Sequence, residues 1–359
     1  MQFLDVILKK QLVGVDIGVS GIKALEVSQT KVPQLIAYNR IPLPWEAISL
    51  EGEVRNRAVV VDALKRLFAV GSFSSKNVAV GAFGRSIMSK RITVPVMTEE
   101  ELEHQLYWEA EQYIPFNASE VNLDFAILGP ASHTLAQEPK MDVLLVAAKK
   151  EFIESLKSMV REAGLEPVII DTQAFALGNA FEHNYASWIK EQGAHCCALV
   201  DFGAGSTKIS IVEGTRTSFH RDIQPSGSRC SEFLADRLGV TVEEAEQIKI
   251  SQGTKPQVRN ILTDYAHSLA DEISRTLDFF LSQSHDNSID AIFYCGGAVQ
   301  MEGIMEVLTK KMPAPLYPLN PIKHVIGSGQ GINRTALDEV TVLGTVATGL
   351  SLRKWGDQS

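Results

Sequence analysis

The chain has 359 residues, a length that suits two lobes, each with a core of its own. Hydrophobic residues make up 45% and charged residues 21%, a composition typical of a folded globular protein that leaves little room for long disorder. The 34 basic and 43 acidic residues give a formal charge of −9, and the absence of a long basic run excludes a general nucleic-acid surface.

The N-terminus and the cysteines both indicate a cytoplasmic location. Residues 3–8 form a short apolar stretch before two lysines, which is the wrong length and order for a signal peptide. No other apolar run is long enough for a membrane span. The cysteines have neither zinc-ligand spacing nor a disulfide pattern, so we expect reduced thiols. They are Cys196, Cys197, Cys230 and Cys295.

Two segments half a chain apart repeat one pattern: a strand, a turn of glycine and serine, and a second strand. Residues 15–23 align without a gap on residues 200–208. Each segment predicts a β-hairpin, because apolar residues alternate on both sides of the turn. A hairpin repeated at this distance predicts a duplicated core with two equivalent lobes.

The hairpin turns have the composition of a phosphate site. A turn of glycine and serine lets the backbone approach an anion closely and direct several N–H groups at it. Asp16 and Asp201 would repel a bare triphosphate, so we expect them to hold a hydrated Mg²⁺ beside the phosphates. One D-x-G turn is usually an ordinary turn, but two matched copies favour a nucleotide site. The predicted residues are Asp16, Gly18, Ser20, Gly21, Lys23, Asp201, Gly203, Gly205, Ser206, Thr207 and Lys208.

Between the hairpins lies a predicted acidic helix. Thr98 and Glu101 have the spacing of a capping box at its start, and Pro115 is expected to stop it. An imperfect apolar face follows from Leu102, Leu106, Trp108 and Tyr113. This pattern predicts an amphipathic helix that packs on one side.

These hairpins resemble those of the superfamily that includes actin, heat-shock chaperones and sugar kinases. Residues 292–298 resemble its adenosine motif, residues 245–249 a helix that contacts ribose and adenine in MreB and FtsA, and residues 340–350 its second connecting helix. The resemblance implies ATP or ADP with Mg²⁺ as cofactors. It adds Gly227, Glu246, Lys249, Gly296, Gly297 and Ala298 to the nucleotide site.

Asp171 opens a segment that resembles the superfamily's first connecting helix. The resemblance implies that this carboxylate positions the attacking water, although an aspartate at a helix start is also a common N-cap. Whether ATP is hydrolysed therefore stays open, and we expect any hydrolysis to be slow.

A narrower resemblance comes from residues 100–116, which strongly resemble the PilM family of type IV pilus assembly proteins, and residues 121–125 and 142–149 agree. It extends over about residues 13–350. The resemblance implies a cytoplasmic scaffold for pilus biogenesis and twitching motility that binds the N-terminal cytoplasmic peptide of PilN. Association with the inner membrane would then be peripheral, through partners. The cytosolic pilus assembly and retraction ATPases are further candidate partners.

The predicted fold is α/β, an actin-like (ribonuclease H-like) two-lobed fold with a duplicated core and an FtsA-like small subdomain in the first lobe. The predicted ranges are 1–76 and 168–192 for the first-lobe core, 77–167 for the partner-binding small subdomain, 193–240 and 289–359 for the second-lobe core, and 241–288 for a second-lobe helical subdomain.

Two other functions share this fold, which does not by itself determine activity. One is a polymerising cytoskeletal ATPase like FtsA or MreB. The other is a sugar or acid kinase, with Asp171 as the general base. Trp108, Tyr113 and Phe116 are candidate anchors for the partner peptide, and core packing is an equal alternative for each.

Overall fold

A computed structural model describes residues 11–28, 30, 33–131, 139–283, 288–325 and 332–356. The apolar stretch at residues 3–8 and the last three residues lie outside this part of the chain. In the described ranges, no helix has both the length and the apolar character needed to cross a bilayer.

The strands are β1 (Val13–Gly18), β2 (Gly21–Val27), β3 (Leu35–Pro42), β4 (Asn77–Ala82), β5 (Ile87–Pro95), β6 (Val121–Pro130), β7 (Lys140–Lys149), β8 (Glu166–Thr172), β9 (Cys196–Phe202), β10 (Thr207–Glu213), β11 (Arg216–Ile223), β12 (Ala291–Cys295) and β13 (Leu316–Pro318). The α-helices are α1 (Arg57–Val70), α2 (Glu99–Glu109), α3 (Lys150–Glu162), α4 (Gln173–Gln192), α5 (Gly227–Leu238), α6 (Val242–Gln252), α7 (Pro256–Leu281), α8 (Ile304–Lys311), α9 (Arg334–Leu343) and α10 (Thr345–Ser351).

The first lobe is built on a five-stranded sheet of order β3-β2-β1-β4-β8. β1, β2 and β3 are antiparallel, whereas β4 and β8 run parallel to β1. Apolar residues of α1 and α3, including Leu64, Leu67 and Leu156, pack on Val15 and Val80 of this sheet. The sheet therefore presents the first hairpin at one edge of a buried core.

The second lobe repeats this arrangement with a sheet of order β11-β10-β9-β12-β13. β9 and β10 form the second antiparallel hairpin, and β12 and β13 run parallel to β9. Helix α7 packs Ile273 and Leu277 against this sheet and Leu262 against α5 and α6. The predicted duplication of the core is confirmed, and α7 joins the predicted helical range 241–288 to the second-lobe core.

The small unit in the first lobe is a three-stranded antiparallel sheet of order β5-β7-β6, covered on one face by α2. Its sheet begins at Ile87, whereas the predicted range 77–167 begins ten residues earlier. The range differs because β4 pairs with β1, and because α3 packs Ile153 into the first-lobe core. The last strand of that range, β8, also belongs to the first sheet.

Helix α2 begins as the sequence predicts, because Thr98 and Glu101 form a complete capping box. The helix ends at Glu109, before Pro115, since a 3₁₀ turn follows directly. The predicted apolar face is wrong for Trp108, which is exposed, while Leu102 is fully buried.

Of the two C-terminal helices, α10 packs on the first-lobe sheet and on α4, and α9 leads into it. Residues 340–350, expected to resemble one connecting helix, are divided at Gly344, whose backbone N–H donates to Val340 O. At Gly349, an added Cβ would lie 1.7 Å from Ala176 O of α4. Glycine at position 349 therefore permits α10 and α4 to pack closely against each other.

Candidate functional site

A cleft of about 1550 Å³ separates the two lobes. Both hairpin turns, the first turn of α5, part of α6 and the end of β12 line it. Fifteen of the predicted site residues line this single cleft: Asp16, Gly18, Ser20, Lys23, Asp201, Gly203, Gly205, Ser206, Lys208, Gly227, Glu246, Lys249, Gly296, Gly297 and Ala298.

The first hairpin brings Asp16 and Lys23 together, because the two are paired across β1 and β2. Lys23 Nζ lies 3.0 Å from Asp16 Oδ2, and both side chains are largely buried. The second carboxylate oxygen, Oδ1, accepts a hydrogen bond of 2.7 Å from Gln173 Nε2. Asp16 is therefore fixed in place, with its charge partly compensated, at the floor of the cleft.

The second hairpin pairs Asp201 with Lys208 at the same register. Burial raises the pKa of the Asp201 carboxyl; Lys208 opposes this rise and Asp16 adds to it. Burial alone would lower the pKa of Lys208, but the carboxylates of Asp222, Asp201 and Asp16 outweigh it and raise that pKa. An ionised Asp201 would thus be a poorly compensated negative charge, which favours a bound cation.

Asp222 is a cleft-lining carboxylate that sequence reasoning missed. It lies on β11, directly opposite Lys208 on β10. Its Oδ1 is 3.0 Å from His220 Nε2, and Ser210 Oγ is 3.0 Å from His220 Nδ1. Burial opposes ionisation of Asp222, yet Lys208 and His220 lower its pKa to about 2. The register between β10 and β11 is what places Asp222 in the site, and that register is visible only in the folded sheet.

Helices α5 and α6 meet at the other end of the cleft through Lys249. Its Nζ donates to Gly227 O at 2.7 Å, to Ser231 Oγ at 2.8 Å and to Glu246 Oε2 at 2.7 Å. Ser231 also donates to Glu246. Glu246 and Lys249 are therefore more than a solvated pair on one helix, since they tie α6 to the first turn of α5.

The end of β12 requires glycine at position 296. Gly296 has φ +92°, and an added Cβ would lie 2.3 Å from Asp201 Oδ1. Any side chain would also meet the backbone N of Phe202 at 2.7 Å. Glycine thus lets β12 end flush against the second hairpin, with Gly297 and Ala298 facing the cleft.

Two predicted hairpin residues lie outside the cleft lining. Thr207 is fully buried, and its Oγ1 donates to Pro225 O at 2.7 Å. Gly21 has φ +159° and packs against β3, where an added Cβ would lie 2.6 Å from Ile41 O. Both shape the hairpins from behind the cleft lining, and their contact with a nucleotide stays a prediction.

Asp171 is not among the residues that line the cleft, and its predicted water-positioning role stays a prediction. Its buried carboxylate forms an ion pair with Arg353. The N-cap of α4 is the next residue, Thr172, which accepts from Phe175 N. Gln173, two residues on, points into the cleft instead and contacts Asp16. Because the chain passes from β8 into α4 between these two residues, strand alternation does not relate the directions of their side chains.

The three aromatic candidates for a peptide groove differ in their surroundings. Tyr113 and Phe116 are partly buried against the core of the small unit, so their core-packing alternative describes them. Trp108 is exposed on the outer side of α2. All four cysteines are buried.

The two hairpin aspartates are the residues with which a magnesium site would be built. In the part of the chain that the structure describes, no three His, Cys, Asp or Glu side chains converge as a metal cage. Asp16 and Asp201 line the same cleft from opposite lobes, and hard carboxylate oxygens suit Mg²⁺. Their arrangement fits the predicted cation held largely through water and phosphate oxygens.

Comparison with known proteins gives a match over nearly the whole chain. A family model described as type IV pilus assembly protein PilM matches residues 14–355. A chain in a solved structure, the PilM-PilN type IV pilus biogenesis complex, is 28% identical with a TM-score of 0.82. That match covers 96% of this chain and 98% of that one.

More distant proteins share the fold. Ethanolamine utilization protein EutJ of Escherichia coli K12 is 28% identical over 118 residues, which are 32% of this chain and only 38% of EutJ. MreB5 of Spiroplasma citri, solved bound to ADP, is 13% identical with a TM-score of 0.50, covering 88% of this chain and 95% of MreB5. The predicted actin-like α/β fold is confirmed.

Proposed function

This chain belongs to the PilM family of type IV pilus assembly proteins, and on that premise we propose that it is an ATP-binding cytoplasmic scaffold. In this proposal it holds the cytoplasmic N-terminal peptide of PilN and links that peptide to cytosolic pilus components, which keeps it at the inner membrane. One observation carries the nucleotide part: two D-x-G hairpins from two lobes line one cleft, with an aspartate from each.

The nucleotide would lie with its phosphates between the hairpin turns. Backbone N–H groups of the turns and the ammonium groups of Lys23 and Lys208 would contact phosphate oxygens. Asp16 and Asp201 would hold Mg²⁺ through water, and the cation would neutralise phosphate charge. The ADP found in the structure of MreB5 supports a nucleotide in a cleft of this fold.

The base and ribose would lie at the α5 and α6 end of the cleft. Here Glu246 and Lys249 are already oriented by Gly227 and Ser231. The glycines that end β12 leave room for a flat ligand beside the second hairpin. These contacts suit the predicted adenosine end of a nucleotide.

Hydrolysis, if it occurs, would depend on Gln173. Its amide is held by Asp16 Oδ1 at 2.7 Å and by Ile17 O at 3.3 Å. Because this amide already donates to Asp16 and Ile17, it is poorly placed to orient a water molecule in line with a phosphate. We therefore propose slow ATP turnover. An intact nucleotide would act mainly as a structural ligand.

Nucleotide binding would act on both lobes at once because their hairpin turns touch. An added Cβ on Gly205 would lie 2.5 Å from Val19 Cγ2 of the opposite turn. Beside them, Arg229 Nη2 of α5 lies 3.1 Å from Glu51 Oε1 of the first lobe. A ligand that binds the closed arrangement better than an open one would shift the lobes toward closure.

The partner peptide would bind between the small unit and the first-lobe core. The small unit is fastened to the second lobe as well, since Arg91 Nη1 lies 3.2 Å from Glu213 Oε2. Arg91 also contacts Asp142 at 2.8 Å on the same sheet face. A change in lobe closure would therefore reach the small unit, and with it the proposed peptide groove.

Calorimetric titration of a synthetic PilN N-terminal peptide tests the proposal. The peptide is titrated into the full chain with and without Mg-ATP, and Asp201→Ala serves as the nucleotide-site control. We expect saturable peptide binding whose affinity changes with Mg-ATP, and a loss of that change in the variant. Absence of peptide binding in both states would overturn the scaffold function, and an affinity that ignores Mg-ATP would overturn the coupling.

A further inference from the structure

Helix α2 exposes two adjacent aromatic side chains. Trp108 is 80% exposed and Tyr107 67%, and their ring centroids lie 5.4 Å apart in an edge-to-face arrangement. Side chains of this size usually stay inside a folded protein or at an interface. Two together on one helical turn form a compact apolar feature on the surface.

The same helix is strongly acidic. Residues 99–112 include six glutamates and neither lysine nor arginine. Three of the six accept local hydrogen bonds: Glu101 from Thr98 N, Glu109 from Gln105 Nε2, and Glu111 from Ala118 N. In the described ranges the other three form no ion pair. They are Glu99, Glu100 and Glu103, and all are exposed.

Helical geometry brings these features together. Glu100 and Trp108 are eight residues apart, and Glu103 and Tyr107 are four apart, so both pairs lie along one side of α2. Leu102 lies on the other side, buried against the three-stranded sheet. We call the side with Glu100, Glu103, Tyr107 and Trp108, with Glu99 at its edge beside Glu103, the aromatic-acidic face.

This face points away from the lobes. Helix α2 packs on the sheet face that carries Ile92 and Val143. The opposite sheet face carries Arg91 and Asp142, and Arg91 reaches Glu213 of the second lobe. An occupant of the aromatic-acidic face would therefore leave both the cleft and the space between the small unit and the lobes free.

We propose that the aromatic-acidic face docks a basic, arginine-bearing segment of a partner protein. Unpaired glutamates supply charges that only a cationic partner complements, and they would steer its approach. Arginine suits the aromatic pair best, since a guanidinium stacks on Trp and Tyr rings while it pairs with carboxylates. This docking surface does not depend on the proposed binding of PilN.

The charge of the face disfavours other occupants. A second copy would oppose glutamate to glutamate across a two-fold contact, which costs free energy. An anionic membrane surface would be repelled by the same carboxylates, although exposed tryptophan alone suits a lipid interface. The combination of aromatic anchors with unpaired acids selects a basic polypeptide.

Two synthetic amphipathic helical peptides that differ only by arginine or glutamate at every charged position provide the first test. Binding to the full chain is followed by fluorescence anisotropy at low and high salt. We expect saturable, salt-sensitive binding of the arginine peptide only. The double variant Tyr107→Ala and Trp108→Ala should weaken it by about tenfold or more. Equal binding of both peptides, or an unchanged affinity in this variant, would overturn the proposal.

Matched control variants distinguish binding at the aromatic-acidic face from attraction by the net negative charge of the protein. Trp355→Ala removes another exposed tryptophan and should leave binding unchanged. Replacing Glu99, Glu100 and Glu103 by Gln should weaken binding by about threefold and flatten its salt dependence. The same replacement at exposed Glu151, Glu182 and Glu191 should have no effect. Equal losses in both triple variants would mean that net charge alone acts, which contradicts the proposal.

Photocrosslinking in cells tests the occupant. A benzoylphenylalanine at position 108 should crosslink to a segment with net positive charge that contains arginine, whereas the same residue at position 355 should not. Crosslinks from position 108 to lipid, to a second copy, to an acidic segment or to nothing would each overturn the proposal. In vitro, saturating PilN peptide should not displace the arginine peptide; displacement would mean that this face is part of the PilN site.

Discussion

The two hairpins share a fold and a register but differ in charge on the third strand. Lys23 is paired across the first sheet with Arg40, whereas Lys208 is paired across the second with Asp222. Arg40 in turn reaches across the cleft to Glu339 of α9, with 3.1 Å between Nε and Oε1. The duplicated fold thus places a charged residue beside the hairpin lysine in both lobes. That residue is basic in the first lobe and acidic in the second.

The two aspartates therefore have unequal surroundings. Asp16 is held by Lys23 and by Gln173. Asp201 has a raised pKa and shares Lys208 with Asp222. A bound cation should therefore stabilise the ionised form of Asp201 more than that of Asp16. This expected difference between the two aspartates can be tested.

The largest expected effect belongs to Asp201→Asn. Loss of the second-lobe carboxylate should weaken Mg-ATP binding by about ten- to a hundredfold, while binding of ATP without Mg²⁺ should improve because repulsion is relieved. Fluorescent-nucleotide titration measures both. Asp16→Asn is the matched variant, and we expect it to lose less Mg-ATP affinity. A larger loss in Asp16→Asn would show that the first-lobe aspartate is the more important of the two for Mg²⁺.

The pH dependence of Mg-ATP binding should be the next largest effect. Because the pKa of Asp201 is raised, protonation begins at a higher pH than for an ordinary carboxyl. Only the ionised form favours Mg²⁺, so affinity should fall as pH is lowered through this raised pKa, by about tenfold per pH unit at most. Asp201→Asn should lack this dependence. A profile equal in wild type and variant would exclude Asp201 as its source.

Asp222→Asn should change nucleotide affinity in the opposite direction. It removes a carboxylate that lies opposite Lys208, which leaves more of the lysine charge for phosphate. We expect ATP and ADP to bind about threefold more tightly. Arg40→Gln is the matched change in the first lobe and should weaken binding slightly. Weaker binding by Asp222→Asn would mean that this carboxylate itself holds the ligand or its cation.

The smallest expected effect concerns the contact between Glu51 and Arg229 at the edge of the cleft. Because both side chains are partly exposed, Glu51→Arg or Arg229→Glu should speed nucleotide release by only about twofold. The double exchange should restore the rate, since the pair then re-forms with reversed charges. Stopped-flow release of a fluorescent nucleotide measures it. If the double variant does not recover the wild-type rate, the contact between residues 51 and 229 does not control nucleotide release.

Several features of the site were predictable from local sequence. The hairpins follow from alternation of apolar residues around glycine turns, and the capping box at Thr98 follows from spacing alone. Their repetition also predicted that Asp16 and Asp201 would line one cleft. Such features depend on residues close in sequence or on a copied unit.

Other features were misread because neighbouring residues differ in direction. Asp171 and Gln173 are two positions apart at the junction of β8 and α4, yet one pairs with Arg353 and the other lines the cleft. Sequence resemblance located the segment but did not show which of its side chains faces the cleft. Periodicity likewise assigned Trp108 to the apolar face of α2, whereas the helix turns it outward.

By itself, the sequence determined the duplicated actin-like fold, the two aspartates of the cleft and the acidic character of α2. Contacts between distant segments were needed to place Asp222 opposite Lys208, β4 in the first-lobe core sheet and Gln173 against Asp16. The physical reason is that local conformation depends on nearby residues. Contacts between strands and between helices depend on register and crossing, which distant parts of the chain fix together.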